Sequence, residues 1–192
     1  MSGWKRYGLV FLGAAVVAGL PACGGSGSVT QTCPAGQTGT PPNCTTPPPP
    51  CTQTKVYSDI GFVQPKTVQF FDFSVPDSGR LDITLDWTFV TSPIGFYIVP
   101  AVSCNTVEEF NARTCTFIVQ SEPSATKPKK ISQNFSAGNY RWLIANYSND
   151  PEAANLLINL SKGSCPALTS TGVDASAHGP EELPKIERIV RQ

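Results

Sequence analysis

The sequence has one histidine and one methionine in 192 residues, and only 15% of its residues are charged. Its 14 basic residues equal its 14 acidic residues, so the chain has no net field that would attract nucleic acid. The single histidine, His178, cannot form the H-E-x-x-H motif of zinc peptidases, and the G-x-S-x-G motif of serine hydrolases does not occur. We therefore expect no nucleic-acid partner, no cofactor, no metal and no enzymatic activity.

A long hydrophobic run is also lacking. The longest uncharged apolar stretch covers residues 7–20, whereas a membrane-spanning helix needs about 20 residues. Lys5 and Arg6 precede the stretch, and a basic start followed by a short apolar segment is typical of a secretory signal. We expect residues 1–22 to act as a signal peptide.

Cys23 follows in the sequence Leu20-Pro21-Ala22-Cys23. With leucine at its start and a small residue before the cysteine, this segment resembles the lipobox of bacterial lipoproteins. The resemblance implies that Cys23 becomes the first residue, carries acyl chains such as palmitate, and anchors the protein in a lipid bilayer. Gly24 stands where an aspartate would imply retention in the inner membrane, so the outer membrane is favoured, on its periplasmic or surface face. An ordinary secretory signal, which would leave Cys23 to pair, is the alternative.

The seven cysteines are an odd number, and acylation of Cys23 leaves six that can pair in many combinations. The sequence favours the pairs Cys33–Cys44 and Cys104–Cys115, which enclose short loops, and Cys51–Cys165, which joins the ends of a β-rich region. A metal site at Cys33 and Cys44 is disfavoured, because no histidine and no C-x-x-C motif lies nearby.

Residues 23–50 are rich in proline, glycine and threonine. They contain no charge, and Val29 is their only sizeable aliphatic residue. Residues 47–50 are four consecutive prolines, which favour an extended polyproline II conformation. We expect a disordered or extended linker that holds a domain away from the membrane.

Between residues 51 and 166, apolar residues alternate with polar ones. In the clearest case, Leu81, Ile83, Leu85 and Trp87 fall on one face of a strand. Seven further runs have the same character: residues 56–63, 68–75, 95–99, 116–121, 130–136, 140–144 and 156–161. About eight short strands without a convincing helix predict an all-β fold, a single β-sandwich wound as a jelly roll or another Greek key.

Two segments of this region carry a further pattern. Residues 71–87 read Phe-Asp-Phe-Ser-Val-Pro-x-x-Gly-x-Leu-x-Ile-x-Leu-x-Trp, and residues 137–146 read Ala-Gly-Asn-Tyr-x-Trp-x-Ile-x-Asn. Together they resemble the bacterial pre-peptidase C-terminal domain, over roughly residues 56–162. The resemblance implies a small β-sandwich of the kind usually appended to secreted proteases and other exported enzymes. Its matching positions are mostly core and turn residues, so it implies a fold rather than a function.

Residues 167–192 form a polar tail. Within it, residues 181–192 allow a short amphipathic helix with Leu183, Ile186, Ile189 and Val190 on one side. An isolated helix of this length is marginal in water. A disordered tail is therefore the favoured interpretation, and docking of the helix onto a partner or onto the sandwich is the alternative.

Three groups of polar residues are candidates for chemistry. Asp82 and Asp86 share a strand face about 13 Å apart, too far for a glycosidase pair, and we expect them to be solvated. Asp77, Asp150 and Glu152 lie in turns that would suit calcium, although turn aspartates usually shape the turn itself. The basic cluster of residues 127–130 is expected to be a solvated loop.

Four aromatic residues have two interpretations. They are either core residues, which we favour, or part of a platform for stacking sugars. These residues are Phe96, Tyr97, Trp142 and Tyr147.

Together these observations predict a lipid-anchored bacterial envelope protein whose β-sandwich is a non-catalytic interaction module for protein or polysaccharide. The alternative is a structural or accessory envelope lipoprotein that acts only through its assembly partners. An exposed apolar patch on the sandwich would favour the interaction module.

Overall fold

The computed structural model describes residues 32–171 and 185–192. The signal segment, Cys23, His178 and Leu183 lie outside these residues. The chain divides into two units, Met1–Pro47 and Pro48–Gln192.

In the first unit, six residues of the expected linker pair as two short strands. Strands β1 (Thr38–Thr40) and β2 (Asn43–Thr45) form an antiparallel hairpin. The disulfide between Cys33 and Cys44 closes it. A closed loop has less conformational freedom to lose, which lets this short apolar-poor segment hold a hairpin.

In its described residues, 48–171 and 185–192, the second unit contains nine strands and one short helix. The elements are β3 (Thr52–Val63), β4 (Thr67–Val75), β5 (Gly79–Trp87), β6 (Ile94–Pro100), α1 (Val107–Asn111), β7 (Val119–Ser124), β8 (Lys129–Phe135), β9 (Gly138–Asn146), β10 (Glu152–Lys162) and β11 (Arg188–Arg191). Strands β3 to β10 correspond to the eight apolar runs of the sequence, with shifted boundaries.

The strands form a four-stranded sheet in the order β3-β10-β5-β8 and a five-stranded sheet in the order β11-β4-β9-β6-β7. When β11 is left out and β3 to β10 are counted as strands one to eight, the four-stranded sheet holds strands one, eight, three and six in that order. The other sheet then holds strands two, seven, four and five. This order is that of a jelly roll. The fold is therefore an all-β sandwich, and its winding is settled between the alternatives that the sequence left open.

The main core lies between the two sheets. The alternating row Leu81, Ile83 and Leu85 of β5 is fully buried there, and the inward residues of β10 are buried as well, whereas Tyr140 of β9 packs against this core while partly buried. Trp142 and Ile144 of β9 lie in this core as predicted. The strict alternation of these strands is thus explained by one face that packs on the opposite sheet.

The outer face of the five-stranded sheet is also buried. A second apolar cluster forms there, in which Tyr97 and Leu143 of the sheet join Phe110 of α1. The expectation that the domain contains no helix is wrong at α1. Thr106 and Glu109 form a reciprocal capping box at its start, and this local pairing supports a helix that is too short to produce a periodic apolar pattern.

Three disulfides join the six cysteines of the described residues. Cys33–Cys44, Cys51–Cys165 and Cys104–Cys115 are the pairs that the sequence favoured. Cys51–Cys165 joins the start of the sandwich to the end of β10, and Cys104–Cys115 closes the loop that carries α1. Gly163 lies between the end of β10 and Cys165, with a φ of +76°, and a Cβ there would lie 2.2 Å from the Pro50 carbonyl oxygen.

The last eight residues do not form the amphipathic helix that the sequence allowed. Arg188–Arg191 is a strand, β11, which pairs in parallel with Thr67–Phe70 at the edge of β4. Ile186 just before it is buried, whereas Val190 is 45% exposed. The open edge of β4 offers unpaired backbone groups, and this tertiary contact overrides the helical spacing of the aliphatic residues.

Candidate interaction surface

Asp82 is not solvated, contrary to the expectation from the sequence. It is 3% exposed, and it accepts hydrogen bonds from Arg80 and from Ser132 and Ser161 on the flanking strands. Asp82 is buried because a segment distant in the sequence packs over this face. The carbonyls of Cys165 and Pro166 in that segment accept hydrogen bonds from Arg80. Residues 165–171 continue over the neighbouring strand β8, where Leu168 N–H donates to Ser132 Oγ and Thr171 bridges to Lys130.

The pKa of Asp82 results from opposing effects. Burial raises it, but hydrogen bonds from Arg80, Ser132 and Ser161, together with the charge of Arg80, outweigh the burial and lower the pKa. The carboxylate is therefore a charged structural centre. Asp86, its expected companion, is half-exposed and pairs instead with Lys127.

The structure does not bring the proposed calcium ligands together. Asp77 pairs with Lys162 at the last residue of β10, whereas Glu152 is its first residue. Ten residues of strand separate these two positions by about 33 Å. Within the part of the chain that the structure describes, no group of three or more His, Cys, Asp or Glu side chains is placed to hold a metal ion.

The basic cluster at residues 127–130 is not a solvated loop. Lys129 is fully buried, and its Nζ donates to Ser121 Oγ, Ser124 Oγ and the Glu122 carbonyl. Lys127 donates to the carbonyls of Trp87 and Thr88 at the end of β5. Lys129 therefore joins β8 to β7, and Lys127 joins the loop before β8 to the end of β5.

The four aromatic residues that the sequence offered as a sugar platform are all buried. Tyr97 and Phe96 are 0% exposed, and Trp142 and Tyr147 lie below 5%. Tyr97 and Tyr147 also belong to a buried polar cluster with Glu122 and Arg113. The favoured interpretation of these residues as core is confirmed.

Four of the six exposed large apolar residues in the described part of the chain lie elsewhere, at one end of the four-stranded sheet. Ile60 and Phe62 of β3 are 67% and 71% exposed. Phe89 and Val90, in the loop after β5, are exposed as well. Both groups contact the start of β10. Phe62 is the register partner of Ala153, and the Phe89 N–H donates at 3.0 Å to the carboxylate of Glu152, the residue before Ala153.

A bulge in β3 decides that Ile60 and Phe62 face outward. The register with β10 shifts between Ile158 and Asn159, where β3 has one extra residue. Val56 and Tyr57 consequently both pack on the core. Beyond them, the odd-numbered residues face inward and Val63 is buried, which leaves the even-numbered aliphatic and aromatic residues in solvent.

These side chains border a shallow depression on the outer face of the sheet. It has a volume of about 190 Å³ and is lined by Asp86, Trp87, Thr88, Ala153 and Asn155. In the strand register, Ile60, Asn155 and Asp86 form one row across β3, β10 and β5. The depression thus has an apolar side on β3 and a polar floor.

Lys127 contacts two of the residues that line the depression, Asp86 and Trp87. Its Nζ lies 3.2 Å from Asp86 Oδ1 and 5.9 Å from the centroid of the Trp87 ring. Beside the apolar surface, the Asp86 carboxylate can accept hydrogen bonds, and the Asn155 carboxamide can both donate and accept them. A hydrophobic contact with a polar border is the usual composition of a protein-binding surface.

The sequence contains a signal for this surface in the composition of residues 56–63. In residues 56–63 the even positions are Val, Ser, Ile and Phe, and the odd positions are Tyr, Asp, Gly and Val. Neither set is clearly polar, so the run has no face that is obviously meant for solvent. A strand whose two faces are both apolar is a candidate for a contact on each face.

Comparison with known proteins adds a limited finding. No family model and no curated protein matches the chain. Among solved structures, the pre-peptidase C-terminal domain of a collagenase from Bacillus anthracis is similar over 56% of this chain and 89% of its own, with a TM-score of 0.40 and 11% identity.

A second similar structure is the Yersinia pseudotuberculosis-derived mitogen, over 62% of this chain and 97% of its own, with a TM-score of 0.39 and 19% identity. At TM-scores below 0.5, these two matches say nothing about what this chain binds. Among the described residues, no helix is long and apolar enough to cross a membrane.

Proposed function

We propose that this chain is a lipid-anchored bacterial envelope protein whose β-sandwich is a non-catalytic module that binds a protein partner. The observation that carries the proposal is the exposed pair Ile60 and Phe62 beside Phe89 and Val90. Large apolar side chains gathered at one end of a sheet are characteristic of contact surfaces.

The surface is held rigidly, which suits a preformed binding site. Ile60 and Phe62 belong to a strand paired along its length with β10, so their backbone is fixed before a partner arrives. Glu152 is fully buried and holds the loop with Phe89 through a hydrogen bond. Rigid presentation lowers the ordering cost of binding.

A protein partner is favoured over a polysaccharide. The sugar platform that the sequence allowed is buried. What is exposed is a row of aliphatic and phenyl side chains without a tryptophan or tyrosine, and aliphatic residues contribute little to sugar stacking. Phenylalanine and a charge-poor centre are instead enriched where proteins meet proteins.

The anchor is proposed from the sequence. Six of the seven cysteines are paired, which leaves Cys23 available as the residue that the lipobox-like segment would acylate. Multiple acyl chains give stable membrane binding. Because the segment is followed by Gly24 rather than aspartate, we place the protein at the outer membrane.

The binding surface can be tested by photo-crosslinking in cells. A benzophenone amino acid is introduced at Phe62 in the full chain and, as a matched control, at Val102, which is 86% exposed in the loop after β6. We expect one defined crosslinked protein from position 62 and none from position 102. Equal crosslinking at both positions, or none at position 62, contradicts the proposal. Purified chain that binds glycans in a Phe62-dependent way would replace a protein partner by a polysaccharide.

The anchor is tested by Cys23→Ala and fractionation of cells after metabolic labelling with palmitate. We expect the native chain to be labelled and membrane-bound, and the variant to be unlabelled and released. Membrane association of the variant would contradict the proposed anchor without affecting the binding surface.

A further inference from the structure

Strand β3 leaves a long backbone edge open. It is an outer strand of the four-stranded sheet, and among the described residues it pairs only with β10. The other outer strands of the sandwich are protected in the ways usual for sheet edges. Two backbone bonds join Lys130 of β8 to Thr171, β7 has six residues and contains Pro123, and β11 has only four residues. In contrast, β3 has twelve residues and no proline.

The register of the sheet shows which backbone groups of β3 face this edge. The Trp87 N–H donates to Asp86 Oδ1 at 2.9 Å, and the Trp87 carbonyl accepts from Lys127, so the backbone of Trp87 is turned away from β10. Because backbone groups alternate in direction along an antiparallel strand, Asp86 and its register partner Asn155 face each other. The backbone of Asn155 is therefore turned away from β3. Its partner on that side, Ile60, consequently carries its N–H and carbonyl on the open edge.

Two kinds of side chain flank the open edge. Ile60 and Phe62 are exposed on the outer face of the sheet. Asp59 lies on the opposite face of β3, and its carboxylate reaches the edge, where Oδ1 accepts from the Ile60 N–H at 2.8 Å and Oδ2 accepts from Gln192 Nε2 at 2.9 Å. Within the described part of the chain, Asp59 forms no ion pair. The edge therefore combines apolar surface on one face with an uncompensated negative charge on the other.

We propose that the protein partner is held through an extended segment that adds to the open edge of β3 as a further strand. Its aliphatic residues lie beside Ile60 and Phe62, and a lysine or arginine lies beside Asp59. This inference rests on the proposed function, because it states how a protein partner is held at the same surface. In strand addition, backbone bonds give affinity and alternate side chains give specificity.

The chemistry of the segment follows from β3 itself. Ile60 and Phe62 face one side of the sheet and Asp59 the other, so a strand beside them meets apolar surface and negative charge at alternate positions. A carbonyl of the segment replaces Asp59 Oδ1 on the Ile60 N–H, and this oxygen becomes free to bind the basic side chain. An acidic segment is excluded by repulsion from Asp59, since charge complementarity selects among partners.

The test uses the full chain with Cys23→Ser and a fluorescent peptide, Thr-Val-Lys-Val-Lys-Val-Thr. In an extended peptide the valine N–H groups lie on one edge and the lysine N–H groups on the other. N-methylation of either set blocks one edge and also prevents the peptide from pairing with itself. We expect one methylated peptide to bind, and the other to bind about tenfold more weakly because it has lost the donors that face β3. Titrations followed by fluorescence anisotropy measure both affinities.

The charge and the location are tested with the methylated peptide that binds. Replacement of its lysines by glutamate is expected to weaken binding about tenfold. With Asp59→Asn, this difference is expected to shrink to about twofold. Amide hydrogen exchange at Phe62 should become slower in the complex, while exchange at Val102, in the loop after β6, stays unchanged.

Equal binding of the two methylated peptides overturns strand addition, and so does the absence of binding at a peptide concentration of about 1 mM or unchanged exchange at Phe62. A preference for lysine that Asp59→Asn does not reduce overturns the role of Asp59. Photo-crosslinking at Phe62 in cells separates these failures from that of the proposed function. If position 62 crosslinks a defined protein while the two methylated peptides bind equally, only strand addition is overturned. If position 62 gives no crosslink, the proposed function fails, and with it the assignment of the edge to a protein partner.

Discussion

Arg80 and Asp82 lie two residues apart on β5, and the guanidinium holds the carboxylate through two hydrogen bonds, Nε to Oδ1 at 3.0 Å and Nη2 to Oδ2 at 2.9 Å. The same Arg80 donates to the carbonyls of Cys165 and Pro166. This pair therefore fastens the segment after β10 to the outer face of the sheet.

We predict that Asp82→Asn destabilises the sandwich. The substitution keeps the shape of the side chain but leaves Arg80 without its anionic partner, and disruption of a buried pair costs about 3 kcal/mol. Urea unfolding followed by tryptophan fluorescence measures the change. Asp86→Asn is the matched control: its pair with Lys127 is partly exposed, so a loss below about 1 kcal/mol is expected. Equal losses in the two variants would show that burial of Asp82 is not the cause.

The lowered pKa of Asp82 predicts a specific dependence on pH. Because the carboxyl binds a proton less readily in the folded chain, its stabilising contribution is complete above the unfolded-state pKa of about 3.9. The contribution is lost as pH falls through the lower folded-state value. The stability difference between wild type and Asp82→Asn should thus narrow below about pH 4. A difference that is constant from pH 6 to pH 2 contradicts this assignment.

Tyrosine ionisation should be delayed in alkali. Burial, followed by the charge and hydrogen bond of Asp59, raises the pKa of Tyr57 to about 12, and burial also raises the pKa of Tyr97 and Tyr147. A group with a raised folded-state pKa stabilises below its unfolded value, so stability should fall as pH rises from about 10. Absorbance at the phenolate band, in native and unfolded chain, measures the delay. Superimposable titrations of the two states would be inconsistent with burial of these rings.

The two disulfides of the sandwich should differ in their contribution. Cys51–Cys165 closes a loop with a sequence separation of 114, and Cys104–Cys115 one of 11. Loop-closure entropy predicts a loss of about 5 kcal/mol when the first pair is replaced by alanine, and about 3 kcal/mol for the second. Thermal unfolding of the two double variants compares them directly. A larger loss for Cys104–Cys115 would indicate that this bond acts mainly by holding the folded α1 loop.

Ile186→Asp should release the end of the chain. Placement of a carboxylate in the apolar cluster with Phe110 is unfavourable, so residues 188–191 lose their seat on β4. Amide hydrogen exchange at Ile189 and Val190 is expected to become fast, while exchange in β9 and β10 stays slow. Val190→Asp, at a position that is 45% exposed, is the control and should leave exchange nearly unchanged.

Strand β5 shows which burial could be predicted from the sequence and which could not. On β5, alternation alone predicts that Leu81, Ile83 and Leu85 are core residues, because a strand between solvent and an apolar core must alternate. The same alternation predicts that Asp82 is solvated, but Asp82 is buried. Alternation separates two faces of a strand, but it does not show whether a second segment covers the polar face.

The outward direction of Ile60 and Phe62 and the strand conformation of the tail could not be predicted from the sequence, for a related reason. Ile60 and Phe62 face outward because a bulge shifts the register of β3 against β10, and a bulge depends on both strands. Ile186, Ile189 and Val190 have helical spacing, yet Ile189 and Val190 lie in strand β11 and Ile186 lies just before it, because β4 has a free edge. Neither the partner strand nor the free edge can be read from the residues concerned.

The sequence by itself determined the β-rich composition, the positions of eight strands, the alternating core rows and the favoured disulfide pairs, because each depends on short-range periodicity or on spacing along the chain. Only the tertiary structure decided the jelly-roll order, the burial of Asp82 and Lys129, the outward turn of Ile60 and Phe62, and the seat of Ile186 beside Asn111. These features depend on which distant segments meet, and the free energy of such contacts resides in pairs of elements rather than in either element alone.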